Sequence, residues 1–268
     1  MRLTIILGCF ELEHQITRTL TSINVAICHQ QELDVDVVIA DNSRIKFCTT
    51  IDKLLPNCRS ANVCTFGQDP IHFALNKIVA ESESDFVCVM IDGARIWSPQ
   101  ILKRCINLLA TKNLIHVPNY QIGHSHQMYA SERGFTMEDE EKILLDAGWP
   151  YLDTEKLIQN STIEDHAGIG PRIFESNCLF LSRELWTEVR GFDQSFKRAD
   201  GGFASADLLQ RLVSAGGQLR ILTSEGTFHQ LHAGSTTSGP LSTRQAIKEM
   251  TIEYKNIRGH APIRVSCS

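Results

Sequence analysis

The sequence predicts an α/β protein with a mainly parallel central sheet flanked by helices. Apolar runs of strand length alternate with amphipathic stretches of roughly 10 to 15 residues, the pattern of βαβ units. One of these runs, residues 86–91, is apolar at six consecutive positions. It is too short for an ordinary helix and lacks the alternation of a half-exposed strand, so it suits a strand buried on both faces. The run stops at Asp92-Gly93. Open α/β sheets bind ligands at the carboxyl ends of their strands, and a carboxylate there can hold a hard cation beside a phosphate. Asp92 equally suits a cap for the turn into a helix starting near Ser98-Pro99. Both readings stay open at this point.

In order, residues 3–7 predict the first strand, and Ile16, Leu20, Ile23 and Ile27 mark the helix after it. Residues 35–40 form a second strand ending at Asp41-Asn42-Ser43. A short helix at 51–55 leads to a strand at 62–66, and Asp69-Pro70 opens a helix through Phe73, Ala74, Ile78 and Val79. After the strand ending at Asp92 come a helix with Ile101, Leu102, Cys105, Ile106 and Leu109 and a strand at 114–117.

The stretch 118–172 has a different composition, rich in His, Gly and aromatic residues, and it is expected to shape a second substrate's site. Within it, residues 137–147 read as a helix whose run Glu138-Asp139-Glu140-Glu141 suits a solvated N-terminus. His124 and His126 read as surface-loop residues. Further on, the pattern predicts a strand at 175–181, a helix at 183–190 broken by Gly191, a helix at 203–215 and a strand at 219–222. An amphipathic helix at 241–258 follows, placed either on the body of the chain or against a second subunit.

The 268 residues are 43% hydrophobic and 21% charged, with a net charge of −5, which describes an ordinary soluble globular chain. That balance offers no electrostatic footing for nucleic acid or an anionic membrane. No apolar run approaches the roughly 20 residues of a transmembrane span. The apolar start is followed by Glu11, Glu13 and His14 where a leader's cleavage site belongs, so it reads as a strand. Nine cysteines without CxxC spacing suggest reduced thiols in a cytoplasmic protein and no structural zinc site. P-loop, GxGxxG, HExxH and GxSxG motifs are all missing from the sequence.

Three strand ends, Gly8-Cys9-Phe10-Glu11, Asp41-Asn42-Ser43 and Asp92-Gly93-Ala94, are brought to one edge by parallel strands. Together with Ala74-Leu75-Asn76-Lys77, Gly191-Phe192-Asp193-Gln194-Ser195-Phe196 and Asp207-Leu208-x-x-Arg211-Leu212, they resemble family 2 glycosyltransferases of GT-A fold, over about residues 3 to 232. The resemblance implies one domain with a Rossmann-like nucleotide-sugar half at 1–117, an acceptor half at 118–240 and a helical tail at 241–268. It places the nucleotide against Gly8, Phe10, Glu11, Asp41, Asn76, Asp92 and Gly93. It implies Mn²⁺ or Mg²⁺ held by Asp92 with His229 and His232, of which i, i+3 spacing on a strand would turn only one inward. The donor it implies is a nucleoside-diphosphate sugar, a UDP-sugar first, and the acceptor a glycan or other hydroxyl compound.

Two departures stand out. The second carboxylate of the family's Asp-x-Asp is Ala94 here, and the Glu-Asp pair before the Asp-Leu-x-x-Arg helix is Ala204-Ser205. Asp207, then Glu175, are left as candidates for the base that takes the acceptor proton. Asp207 also fits a plain i, i+4 pair with Arg211. The expected activity is metal-assisted, inverting sugar transfer. The alternatives are a degenerate non-catalytic nucleotide-sugar or glycan-binding module and, less favoured, a nucleotidyltransferase.

Overall fold

The computed structural model describes residues 1–43, 51–67, 69–130, 132–164, 167–233 and 239–267, with the Glu13 side chain outside that set. The stretch 233–240, which the sequence suggests is a loop, falls largely outside the described residues. The chain runs β1 (Arg2–Cys9), α1 (Glu13–Cys28), β2 (Asp34–Asp41), α2 (Ile51–Leu54), β3 (Ser60–Thr65), α3 (Ile71–Glu81) and β4 (Phe86–Met90). It continues with β5 (Arg95–Trp97), α4 (Ile101–Ile106), β6 (Asn113–His116) and β7 (Asn119–Ile122), then a 3₁₀ turn at Gln127–Tyr129. Next are α5 (Met137–Asp146), α6 (Thr154–Gln159), β8 (Ser161–Ile163), β9 (Arg172–Ile173), β10 (Leu179–Ser182), α7 (Arg183–Glu188) and α8 (Ala204–Ser214). The chain closes with β11 (Gln218–Ile221), β12 (Thr227–His229), α9 (Pro240–Arg258) and β13 (Val265–Ser266).

The main sheet has seven strands in the order β11-β6-β10-β4-β1-β2-β3. All neighbours are parallel except β10, which runs antiparallel to both β4 and β6. Leu3, Ile5 and Leu7 of β1 pack with Ile16, Leu20 and Ile23 of α1 and with Ile101 and Leu102 of α4. On the other face Ile6, Val87 and Val89 meet Leu75 and Ile78 of α3 and Leu208 and Leu209 of α8. Apolar side chains on both faces explain the unbroken run in β4, because each face buries its own layer of helices.

A second sheet, β5-β12-β7-β8, stands beside the first and was not expected from the sequence. Its strands are three or four residues long, too short to display a period. The strand expected from 175 begins only at Leu179. Ser176 Oγ binds Cys178 O and His116 Nδ1, and Asn177 Nδ2 reaches Glu164, so these polar side chains draw the backbone out of the ladder. Helix α9 packs on the chain itself: Tyr254 meets Phe196 and hydrogen-bonds Gln210, and Arg258 reaches Asp193 and Asp207.

Candidate active site

Strands β1, β2 and β4 lie side by side and end together, with Cys9 level with Asp41 and Leu7 with Met90. Gly8 and Gly93 allow the two turns to touch: a Cβ on Gly8 would meet Ile91 O at 2.2 Å, and one on Gly93 would meet Gly8 O at 2.6 Å. The missing side chains therefore serve chain-to-chain contact. Asp41 is fully buried and accepts from Ser43 N at 2.9 Å, while Ser43 Oγ accepts from Glu11 N at 2.8 Å. Burial and then the Asp41 charge push the Cys9 thiol up to about 12, so it stays protonated. Phe10, 57% exposed, stands at the mouth of this edge, and Glu11 beside it is exposed with a left-handed φ of 54°.

Asp92 directly follows this edge. Its Oδ1 accepts from Ala94 N at 2.9 Å, closing a turn into β5 and not into the helix that the sequence suggested, which starts only at Ile101. Its Oδ2 lies 3.0 Å from His229 Nε2, 3.8 Å from His232 Nε2 and 3.2 Å from Arg95 Nη2. The two histidine Nε2 atoms are 2.9 Å apart. Both imidazoles thus face Asp92, against the expectation that strand parity would turn one away. β12 ends at His229, and the chain then leaves the strand and brings His232 round. That turn is clamped from three sides. Gln15 of α1 donates to Leu231 O, Gln127 of the 3₁₀ turn donates to Gln230 O and His232 O, and Leu231 N donates to Glu140 of α5.

Glu140 corrects the reading of the acidic run as wholly solvated. It is 1% exposed, bridges Arg18 to the Leu231 amide, and burial pushes its carboxyl up to about 7. His124 is exposed and His126 caps the 3₁₀ turn, as befits loop residues.

The second sheet lines up a row of polar side chains beside Asp92. His229 is level with Arg95 on β5 and with Gln121 on β7, so all three share one face. His229 Nδ1 lies 3.1 Å from the Gln121 amide and 3.7 Å from Glu164 Oε1; Gln121 in turn donates to Glu164. Arg95, Gln121, Glu164 and Gln127 escaped the sequence reading. Only the spacing of Arg95 from Asp92 offered any signal.

Asp92, His229 and His232 fit a divalent cation. Their ligand atoms lie within 4.8 Å of one another. Donors about 2.1 Å from a shared ion and at right angles stand about 3 Å apart, close to the 2.9 and 3.0 Å found. His232 Nδ1 donates to Ala233 O, leaving Nε2 for an ion, and behind the other imidazole the Gln121 amide stands between Nδ1 and the Glu164 carboxylate, fixing the ring. Burial works to raise the Asp92 pKa, but the charge of Arg95 and hydrogen bonds from both histidines outweigh it and hold the carboxyl well below its usual range. For His232 burial lowers the pKa, yet the bond to Asp92 and its charge raise it on balance.

Three further expected site residues are Asn76, Asp207 and Glu175. Asn76 Nδ2 donates to Phe192 O and its Oδ1 accepts from Phe192 N, both at 2.8 Å, so both ends of the amide hold the Gly-Phe-Asp turn. Asp207 is 1% exposed and takes Arg211 Nε at 2.7 Å and Arg258 Nε and Nη2 at 2.6 and 2.9 Å. Two guanidiniums therefore cover both of its oxygens, the i, i+4 pairing enlarged by α9. Glu175 is half-buried, two residues before the Asn177 that contacts Glu164.

No known protein-family model and no curated protein matches the sequence. Solved structures do match in shape. The chain is similar to TarS of S. aureus, with a TM-score of 0.56 at 12% identity over 96% of this chain, and spans 40% of that protein's length. It is similar to residues 1–349 of TarS in complex with UDP, with a TM-score of 0.54 at 12% identity, covering 96% of this chain and 66% of that one. It is also similar to the mannosyltransferase PcManGT from Pyrobaculum calidifontis in complex with GDP-Man and Mn²⁺, with a TM-score of 0.55 at 12% identity, covering 97% of this chain and 76% of that one. At such identity the likeness speaks for architecture, and the architecture is the GT-A fold.

Proposed function

We propose that the chain is a glycosyltransferase that moves a sugar from a nucleoside diphosphate to a hydroxyl acceptor with inversion, assisted by a divalent ion. The observation that carries this reading is the convergence of Asp92, His229 and His232 beside the carboxyl edge of a GT-A sheet. The similar structures in complex with UDP and with GDP-Man and Mn²⁺ support it. In this reading residues 1–117 hold the nucleotide, 118–240 the acceptor, and the helical tail at 241–268 braces the acceptor half. The nucleoside enters at Phe10, Glu11 and Asp41, and the diphosphate lies toward Asp92. A UDP-sugar is the first donor to try.

The ion, when bound, supplies Lewis-acid neutralisation of the leaving diphosphate. Two imidazoles with one carboxylate favour Mn²⁺ over Mg²⁺. Glu175 is assigned the acceptor proton, because Asp207 is enclosed by Arg211 and Arg258. The described cysteines are free thiols, which fits a reducing, cytoplasmic setting, and no described helix is long and apolar enough to cross a membrane.

The test is calorimetric titration of UDP and of GDP, with and without Mn²⁺, on the native chain and on Asp92→Ala. Nucleotide binding that requires Mn²⁺ and disappears in the variant supports the reading. No binding of UDP, GDP, dTDP or CDP under either condition would replace it with a glycan-binding module that has lost catalysis, the reading favoured by Ala94 and Ala204-Ser205.

A further inference from the structure

Arg95 is a cation built into the wall of the metal site. It is 4% exposed and stands level with His229 across β5 and β12. Its Nη2 lies 3.2 Å from Asp92 Oδ2, the same oxygen that faces both histidines. Among the described residues, its buried Nε and Nη1 have no hydrogen-bond partner. Buried donors of this kind are rare, and each one calls for an explanation.

Two consequences follow from these positions. A divalent ion bound by Asp92 must share the only carboxylate of the triad with a guanidinium that the strand holds in place. The ion also adds positive charge close to one already there, so the metal-only state is disfavoured. An anion relieves both problems, since it ligates the ion and accepts from the unmet N–H groups. The planar guanidinium fork is shaped for phosphate oxygens.

We propose that Arg95 makes metal binding conditional on a nucleoside diphosphate. Arg95 competes with the ion for Asp92 when the site is empty of anion, and it pairs with the diphosphate when the ion and nucleotide arrive together. The site then admits the metal–nucleotide complex in preference to either part. This rests on the transferase reading for the identity of the anion; the competition for Asp92 does not.

The experiment measures Mn²⁺ affinity by calorimetry without nucleotide and with saturating UDP or GDP, on the native chain, Arg95→Met and Arg95→Lys, each checked for folding by circular dichroism. For the native chain, nucleotide is expected to tighten Mn²⁺ by roughly tenfold or more, in the usual range of coupling between sites. Arg95→Met is expected to bind Mn²⁺ alone roughly tenfold more tightly than the native chain, and to lose most of the coupling. Arg95→Lys keeps the charge and should follow the native chain for Mn²⁺ alone. A folded Arg95→Met chain with unchanged or weaker Mn²⁺ affinity, or with its coupling intact, overturns the proposal. If the native chain takes Mn²⁺ but no nucleotide, the transferase reading and the coupling fall together, and the metal-alone comparison still decides the competition.

Discussion

Replacing Asp92 by Asn in the metal-free protein removes the only charged partner that the Arg95 side chain has among the described residues. The Asp92 side chain is 24% exposed and that of Arg95 5%, so solvent screens the pair poorly. Unit charges at such a separation, with an effective dielectric constant of about 20, attract by about 5 kcal/mol before desolvation is counted. Removing one member of a buried pair typically destabilises by about 3–5 kcal/mol, because the other charge is left uncompensated. Asn keeps a carbonyl that can still accept from Arg95, so the loss is expected near the lower figure, about 3 kcal/mol. For a chain of this size that lowers Tm by roughly 6–12 °C. The assay is urea and thermal unfolding in EDTA, so that no bound ion adds stability. The double variant Asp92→Asn/Arg95→Met should recover at least half of the loss, since an apolar replacement leaves no buried charge behind. A single variant that loses under about 1 kcal/mol, or a double variant as unstable as the sum of its parts, would refute the reasoning.

Glu164→Gln should weaken Mn²⁺ binding by roughly 10- to 100-fold, measured by calorimetry, since it removes the carboxylate that holds Gln121 against His229. Asn76→Ala should cost about 1–3 kcal/mol in urea unfolding by freeing the Phe192 backbone groups; a drop in nucleotide affinity at equal stability would restore Asn76 to the nucleotide site. Asp207→Asn should lower Tm while leaving the turnover of the folded fraction nearly unchanged, whereas loss of a base would slow it by roughly 10²- to 10⁴-fold. Burial lowers the pKa of His72 and of His116 from 6.5 to about 4. The unfolded chain therefore takes up these protons first, and stability contributed by both falls as pH drops from about 6.5 toward 4. Glu140, raised by burial to about 7, slopes the other way. The two histidines outweigh it, so unfolding at pH 5 should show a net loss on the order of 1–2 kcal/mol against pH 7.

The main sheet was legible because burial on both faces writes itself into the sequence as mostly apolar runs, unbroken in β4 and interrupted only by Thr4 in β1 and Asp36 in β2. The second sheet was not. Its strands carry Arg95, Gln121 and His229 on their inward face, and a buried polar row cannot be told from a loop by hydropathy. The same limit hid Glu140, whose burial depends on Arg18 and on the Leu231 amide, residues distant in sequence. His229 and His232 were named only through the family resemblance. Strand parity predicted one inward histidine because it assumed an extended chain through 232, whereas Gln15, Gln127 and Glu140 hold that chain in a turn. Asn76 and Asp207 show the converse: residues in recognisable motifs hold the Gly-Phe-Asp turn and the α8–α9 contact, tasks that the motif alone does not announce.

The missing second carboxylate and the paired histidines are one feature. Ala94 is fully buried in the core that packs around α1 and α4, so position 94 faces protein. An aspartate there would need a partner inside an apolar layer, which is costly. What position 94 offers is its carbonyl, which accepts from Gln230 N at 2.9 Å. That bond ties the segment after Asp92 to the residue between the end of β12 and the turn to His232. The Gln230 side chain anchors the same point to Gln15 O and Thr19 on α1. The backbone after Asp92 therefore positions the strand that brings two imidazoles to it. Where the motif that the sequence resembles carries a second carboxylate, this edge carries two imidazoles beside a fixed guanidinium. Such a site is poorer than two carboxylates at holding a bare ion and better suited to an ion that arrives with its own phosphate charge.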